Sequence, residues 1–247
     1  VTALGSLSMT VADFANPTRD QGEVAVSVFP GPPSVLDYSA ATRAAVPHGG
    51  QVFPIEAQVT DAFGNPVPGV QVRLEVSENG VETHSLLAST GSPAIFSVAL
   101  GADTDRLDLS ASIPALPRIP ARELHRLVDV TVSMTGLPEV TTAGQQVSIV
   151  LSVLNRDGIP LPGVKATLEA PREFASVQGV PPPFRGPLAL VLDSPYTQSG
   201  YFAKSGTQTL VFTVPDAQAV ITQRVYVQPD VPVFQIVPFP QIVGTMG

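Results

Sequence analysis

Residues 59–76 read VTDAFGNPVPGVQVRLEV, and residues 153–170 read VLNRDGIPLPGVKATLEA. The two stretches align without a gap at an offset of 94, so that Gly64, Pro66, Pro68, Gly69, Val70 and Leu74 meet Gly158, Pro160, Pro162, Gly163, Val164 and Leu168. Upstream, Gly50 meets Gly144 and Ile55 meets Ile149. Self-similarity at a fixed period marks a duplicated unit. An offset of 94 is close to the roughly 100 residues of one immunoglobulin-type domain. In each copy an extended run enters a glycine-containing turn that needs positive φ. A proline-rich bend then aims the next strand back across a sandwich. Alternation places Val70, Val72, Leu74 and Val76 inward and Gln71, Arg73 and Glu75 outward. The second copy keeps that register, with Val164, Ala166 and Leu168 inward and Lys165, Thr167 and Glu169 outward.

Short apolar runs elsewhere fall between 26 prolines and 20 glycines, and no helical periodicity persists for three turns. Strands are expected over Ser6–Val11, Glu23–Phe29, Val52–Thr60, Val70–Ser77, Ala94–Leu100 and Leu107–Ser112. In the second half they are expected over Val128–Met134, Gln146–Leu154, Val164–Glu169, Leu188–Leu192, Thr207–Val214 and Val220–Val227. Such spacing without intervening helices is the mark of a sandwich or barrel.

At the repeated motif the chain resembles the bacterial Ig-like modules of the invasin and intimin type, the Big-1 domains, whose hallmark is D-x-x-G-N-P-V-P-G-V-x-V. Asp61 to Val72 matches that pattern closely. The second copy departs from it, with Asn155 for the aspartate and Ile159 for the asparagine. What the resemblance implies is a fold rather than a function. The expected class is therefore all-β: tandem immunoglobulin-like β-sandwich domains, with an extra N-terminal β-hairpin and a surplus C-terminal strand. Residues 1–32 form the hairpin extension, 33–113 the first domain, 114–127 a proline-rich linker, 128–230 the second domain and 231–247 a terminal strand or tail.

The chain of 247 residues is 44% hydrophobic but only 14% charged, against about 25% charged in an average soluble protein. Its mean hydropathy is +0.25. A surface this poor in charge points to covering neighbours, since surface charge is what keeps small domains apart. The net charge of −8, with dispersed basic residues, argues against nucleic acid, which requires a basic stripe. No apolar run is long enough for a transmembrane helix. Val1 stands without an initiator methionine or a secretory leader pattern, giving the expectation of a trimmed N-terminus. The absence of cysteine removes disulfides and thiolate metal sites.

Candidate chemistry is sparse. Asp103, Asp105 and Asp108 have an oxygen-rich spacing that a calcium ion would suit, although a solvated turn is the simpler reading because the glycine turn and terminal glutamate of a calcium loop are missing. His48, His84 and His125 are far apart and read as surface or loop histidines. No nucleophile elbow, zinc-protease pair or phosphate loop occurs. Lys165 and Lys204 are the candidates for an isopeptide bond, which the outward register of Lys165 and the Ser-Gly turn at Lys204 disfavour. Arg118, Arg122, His125 and Arg126 gather in the linker, where they would clamp an anionic group or lie solvated on a stiff spacer. The loop Pro171–Pro187, tipped by Phe184, offers either a recognition tip or packing against the other domain.

The expected function is a non-enzymatic structural subunit of an extracellular or surface assembly, such as a filament or surface layer, without cofactors. Subunits would join by strand complementation through Val24, Val26 and Val28 at one end and Phe234, Ile236 and Phe239 at the other. The expected partners are copies of the chain or a neighbouring structural protein. The alternatives are a phage virion component in tail or capsid decoration, a surface adhesin fragment binding a receptor or glycan, and an accessory domain of a secreted enzyme.

Overall fold

The structure, a computed structural model, describes residues 5–12, 21–91, 93–171, 174–176 and 186–230. Its strands are β1 (Gly5–Ala12), β2 (Gln21–Val28), β3 (Val35–Tyr38), β4 (Val52–Thr60), β5 (Gln71–Glu78), β6 (Val81–Ser89), β7 (Ala94–Ala99), β8 (Arg106–Ser112) and β9 (Arg122–Leu127). They continue with β10 (Thr131–Thr135), β11 (Val140–Thr142), β12 (Gln146–Leu154), β13 (Val164–Glu169), β14 (Phe174–Ser176), β15 (Leu188–Leu192), β16 (Tyr196–Phe202), β17 (Gly206–Val214) and β18 (Ala219–Gln228). One short helix, α1 (Ala40–Ala44), follows β3, capped by the Ser39 hydroxyl accepting from the Thr42 N–H.

These strands build two sandwiches. In the first, the sheet β3-β4-β7 faces β6-β5-β8-β9; in the second, β10-β12-β16-β14 faces β11-β18-β17-β13-β15. The architecture is an all-β immunoglobulin-like sandwich repeated in tandem, with the hairpin β1–β2 preceding it. In each sandwich the strand that follows the duplicated bend is flanked in its own sheet by a later strand, β5 by β6 and β13 by β15. Each sandwich closes over its own apolar core, one drawn from Leu36 to Val128 and the other from Leu127 to Val227.

The repeat is structural down to individual hydrogen bonds. Strands β4 and β12 occupy equivalent positions in the two copies. Val67 N–H donates to Val59 O at 2.8 Å and Leu161 N–H to Val153 O at 3.1 Å, closing the same bend. Gly64 and Gly158 have φ of 81° and 77°, and Gly69 and Gly163 have 75° and 69°, a region open to glycine at little cost. The Asp61 carboxylate accepts from the N–H groups of Phe63 and Asn65, and the Asn155 amide oxygen accepts from those of Asp157 and Ile159. Asn155 thus keeps both turn acceptors, because an amide oxygen accepts as a carboxylate does, whereas Ile159 cannot repeat the bond from Asn65 Nδ2 to Asp61 at 3.0 Å. Val72, Leu74 and Val76 are buried, as are Val164, Ala166 and Leu168. Val70 is only half-buried, because it precedes β5 and its N–H turns to the Thr90 hydroxyl.

Several expectations need correction. Residues 114–127 are no free spacer: Arg122–Leu127 is β9, paired along its length with β8, and Ile119 is buried in the first core. The strand expected from Val128 begins at Thr131, because Asp129 adopts φ 49° and turns the chain. Part of the loop 171–187 adds a strand instead of projecting outward. β14 pairs with β16, and Phe174 is fully buried in the core of its own sandwich, its ring 5.2 Å from that of Phe202. Phe184, Phe234, Ile236, Phe239 and the surplus C-terminal strand lie outside the described residues. Val24, Val26 and Val28 stand in β2 opposite Met9, Leu7 and Gly5 of β1.

Candidate functional site

Between the sandwiches the chain crosses without a spacer. Leu127 is buried in the second core and its neighbour Val128 in the first. Arg126 is also buried, at 8% exposure. Its guanidinium donates to the carbonyls of His125 and Arg43, the latter at the end of α1. Burial draws the Arg126 pKa down and Asp216 opposes that shift. From the second sandwich, the Gln218 side-chain amide donates to the same Arg43 carbonyl at 2.6 Å and to that of Ala45 at 3.2 Å. Gln218 itself adopts the left-handed conformation, φ 52°, that ends the short turn Pro215–Ala217. The helix carbonyls left unpaired at a C-terminus are therefore answered by the other side of the join.

A second set of contacts also meets at the join. The His48 imidazole lies 2.7 Å from Asp129 Oδ1, and the Gly49 N–H donates to Oδ2 at 2.9 Å. These two bonds, His48 first, hold the Asp129 carboxyl below its ordinary value of 3.8. Asn155 of the second motif donates through Nδ2 to Asp105 Oδ2 at 3.2 Å, and Arg106 reaches the carbonyl of Pro162. The duplicated turn of the second sandwich is thus seated on the turn that precedes β8.

That preceding turn contains the acidic run. Asn79 accepts from the N–H groups of Asp105 and Arg106 and donates to the Asp103 carbonyl. Glu78 accepts from the Gly101 N–H and the Thr104 hydroxyl. Burial raises the Glu78 pKa, but the Thr104 and Gly101 bonds outweigh it and the net shift is downward. Asp103 and Asp105 line a polar cleft of about 420 Å³ at the join with Asp129, Arg156 and Asp157. Asp108 instead pairs with His125, 2.7 Å away on β9. The expected aspartate triple is split, and no group of three metal-ligating side chains stands together among the described residues.

The linker cations do not gather either. Arg122 pairs with Asp37 at 3.0 Å, alongside Arg43. Arg126 turns into the join, and Arg118 lines a groove with Gly31, Asp61 and Phe63. Two of the three histidines read as surface or loop residues have carboxylate partners, His48 with Asp129 and His125 with Asp108. The first spans 81 residues, which no spacing rule reaches. Neither imidazole has a hydroxyl nucleophile hydrogen-bonded to it among the described residues, as a general base and its nucleophile require. Both lysines are exposed. Sequence reasoning also missed the hairpin β5–β6, whose signal was present: Asn79-Gly80, with φ 51° and 81°, is the dipeptide of a two-residue hairpin turn.

No protein-family model and no curated protein matches the chain. Among solved structures it is similar to the adhesin InvE of Yersinia pseudotuberculosis, at 16% identity over 73% of this chain and 55% of that one, TM-score 0.30. It is also similar to the Escherichia coli adhesin FdeC, at 12% identity over 90% of this chain and 74% of that one, TM-score 0.33. Trypsin-activated alpha-2-macroglobulin of Escherichia coli matches at 14% identity over 81% of this chain and 16% of that one, TM-score 0.38. The chain spans about half the length of InvE and a smaller share of the macroglobulin.

Proposed function

We propose that the chain is a non-catalytic structural segment of an extracellular or cell-surface assembly. The two sandwiches act as one stiff unit, and terminal β-elements join neighbouring subunits by strand addition. The observation that carries this reading is the burial of Leu127 and Val128, adjacent in sequence, in opposite cores. A flexible connection needs solvated residues between its domains, and none separates these two. Hydrogen bonds from Gln218, His48 and Asn155 then brace the join. Stiffness of this kind suits a segment that sets distance and orientation. The low charge fits a surface that meets neighbours, and the hairpin β1–β2, pairing with no other described strand, leaves edges free for addition.

The test is size-exclusion chromatography with light scattering, joined to negative-stain microscopy, on the full chain and on one lacking residues 1–30. The expected result is oligomers or filaments that the truncation abolishes. Monodisperse monomers in both samples would sink the assembly reading and leave a stiff segment of a longer adhesive rod.

A further inference from the structure

The two sandwiches differ at one edge. In the second, β16 pairs with β12 on one side and with β14 on the other. In the first, the equivalent strand β7 pairs with β4, and no other described strand pairs with its second side. The cause is local: β5 and β6 are joined by a tight Asn79-Gly80 turn, whereas the longer excursion between β13 and β15 brings in β14.

The open side of β7 is a set of backbone donors and acceptors. Leu100 N–H donates to Gln51 O at 3.0 Å, which makes that pair a hydrogen-bonded one. Antiparallel alternation then turns the N–H and C=O groups of Ile95, Ser97 and Ala99 away from β4. Pro54, which has no N–H, stands opposite Ser97 in agreement with that phase. Natural edges are guarded by charge, proline or bulges. Within the first sandwich, β3 carries Asp37, β6 carries Glu82, and β9 carries Arg122, Glu123 and Arg126, but β7 (AIFSVA) carries no charge. Beside it, Val52 and Ile95 are 64% and 63% exposed, and Leu86 and Ala88 of β6 are only half-covered.

The hairpin is the complementary element. Its register pairs apolar Leu7 and Met9 with apolar Val26 and Val24. The intervening pairs are Ser6 with Ser27, Ser8 with Ala25 and Thr10 with Glu23. An isolated two-stranded hairpin is marginal in water, and this one pairs with no other described strand. β1 contains no charged residue.

We propose that the open edge of β7 is the acceptor for strand β1 of the hairpin from a second copy of the chain, occupying the place that β14 fills in the second sandwich. This rests on the assembly reading above and names the surface it uses. The test employs full-length variants. Ser97→Pro removes an outward donor without touching the β4 ladder, Ile95→Lys puts a charge at an already exposed position, and Met9→Asp with Val24→Asp places like charges at a directly opposed pair of the donor hairpin. Light scattering should find wild type in multiples of 25.7 kDa. Ser97→Pro and the Met9/Val24 variant should stay monomeric at tenfold higher concentration, and Ile95→Lys should weaken assembly at least tenfold. Mixed one to one, the Ser97→Pro and Met9/Val24 chains should form a dimer that stops there, one supplying the hairpin and the other the edge. If Ser97→Pro or Ile95→Lys assembles as wild type does, or the mixture stays monomeric, the acceptor assignment is overturned although the subunits still assemble. A monomeric wild type instead overturns the assembly reading itself.

Discussion

Replacing Leu127 with alanine should loosen the second sandwich, whereas replacing the next residue, Val128, should loosen the first. The two side chains are 6% and 0% exposed and belong to different cores. Truncating a buried leucine to alanine costs the transfer free energy plus a cavity term, here about 3 kcal/mol. Removing the two methyl groups of a fully buried valine costs about 2 kcal/mol on the same grounds. In a domain of about 100 residues each kcal/mol moves Tm by roughly 4–8 °C. Leu127→Ala should therefore lower the transition of the second sandwich by roughly 12–24 °C, and Val128→Ala that of the first by roughly 8–16 °C. Calorimetry gives the shifts, and hydrogen exchange read by peptide mass assigns them. Leu127→Ala should speed exchange in β12 and β17, and Val128→Ala in β4 and β8. Should both variants loosen the same sandwich, or neither move its transition by more than 2–3 °C (less than about 1 kcal/mol), the crossed burial that underlies the stiff join would be refuted.

Gly136→Ala should destabilise the second sandwich by at least about 1 kcal/mol, because φ is 85° and an added Cβ would meet the Ser148 carbonyl oxygen at 2.5 Å; urea denaturation measures it. Asn155→Asp keeps the turn acceptor but loses the donor to Asp105 and sets two carboxylates together. It should cost about 1 kcal/mol, with faster hydrogen exchange at Asp105 and Arg106 than in β17. Asp61 has its pKa lowered to about 2, by Asn65 first and then the N–H groups of Gly31, Asn65 and Phe63, and Asp129 is lowered by His48. Both folded values lie below the unfolded one near 3.8. Their contribution is therefore complete above about pH 5 and disappears as pH falls from about 4 towards 2. Melting curves across that range should show the decline, and His48→Gln should make it shallower.

Strands without apolar alternation were the hardest part of the fold to read from sequence. β4, β5, β12 and β13 lie inside their sheets with one face on a core, so their residues alternate and their limits were legible. β9 reads RELHRL and β16 reads YTQSGYF. Neither alternates, because what makes them strands is the ladder offered by β8 and by β12. β9 was accordingly taken for a linker, its charges suggesting solvent. β14 is three residues long, too short for any period, and Phe174 is held by a core assembled from distant strands.

The sequence by itself determined the duplication, the sandwich class, the inward register of the repeated strands and the turn chemistry of Gly64, Gly69, Gly158 and Gly163. All of these depend on contacts within a few residues or on a period that alternation makes visible. Only the tertiary structure decided that Leu127 and Val128 enter different cores, that His48 reaches Asp129, that Asn155 meets Asp105, and that no described strand covers β7 where β14 covers β16. Those features join residues tens of positions apart, and their energies exist only once two sandwiches have closed and been set against each other.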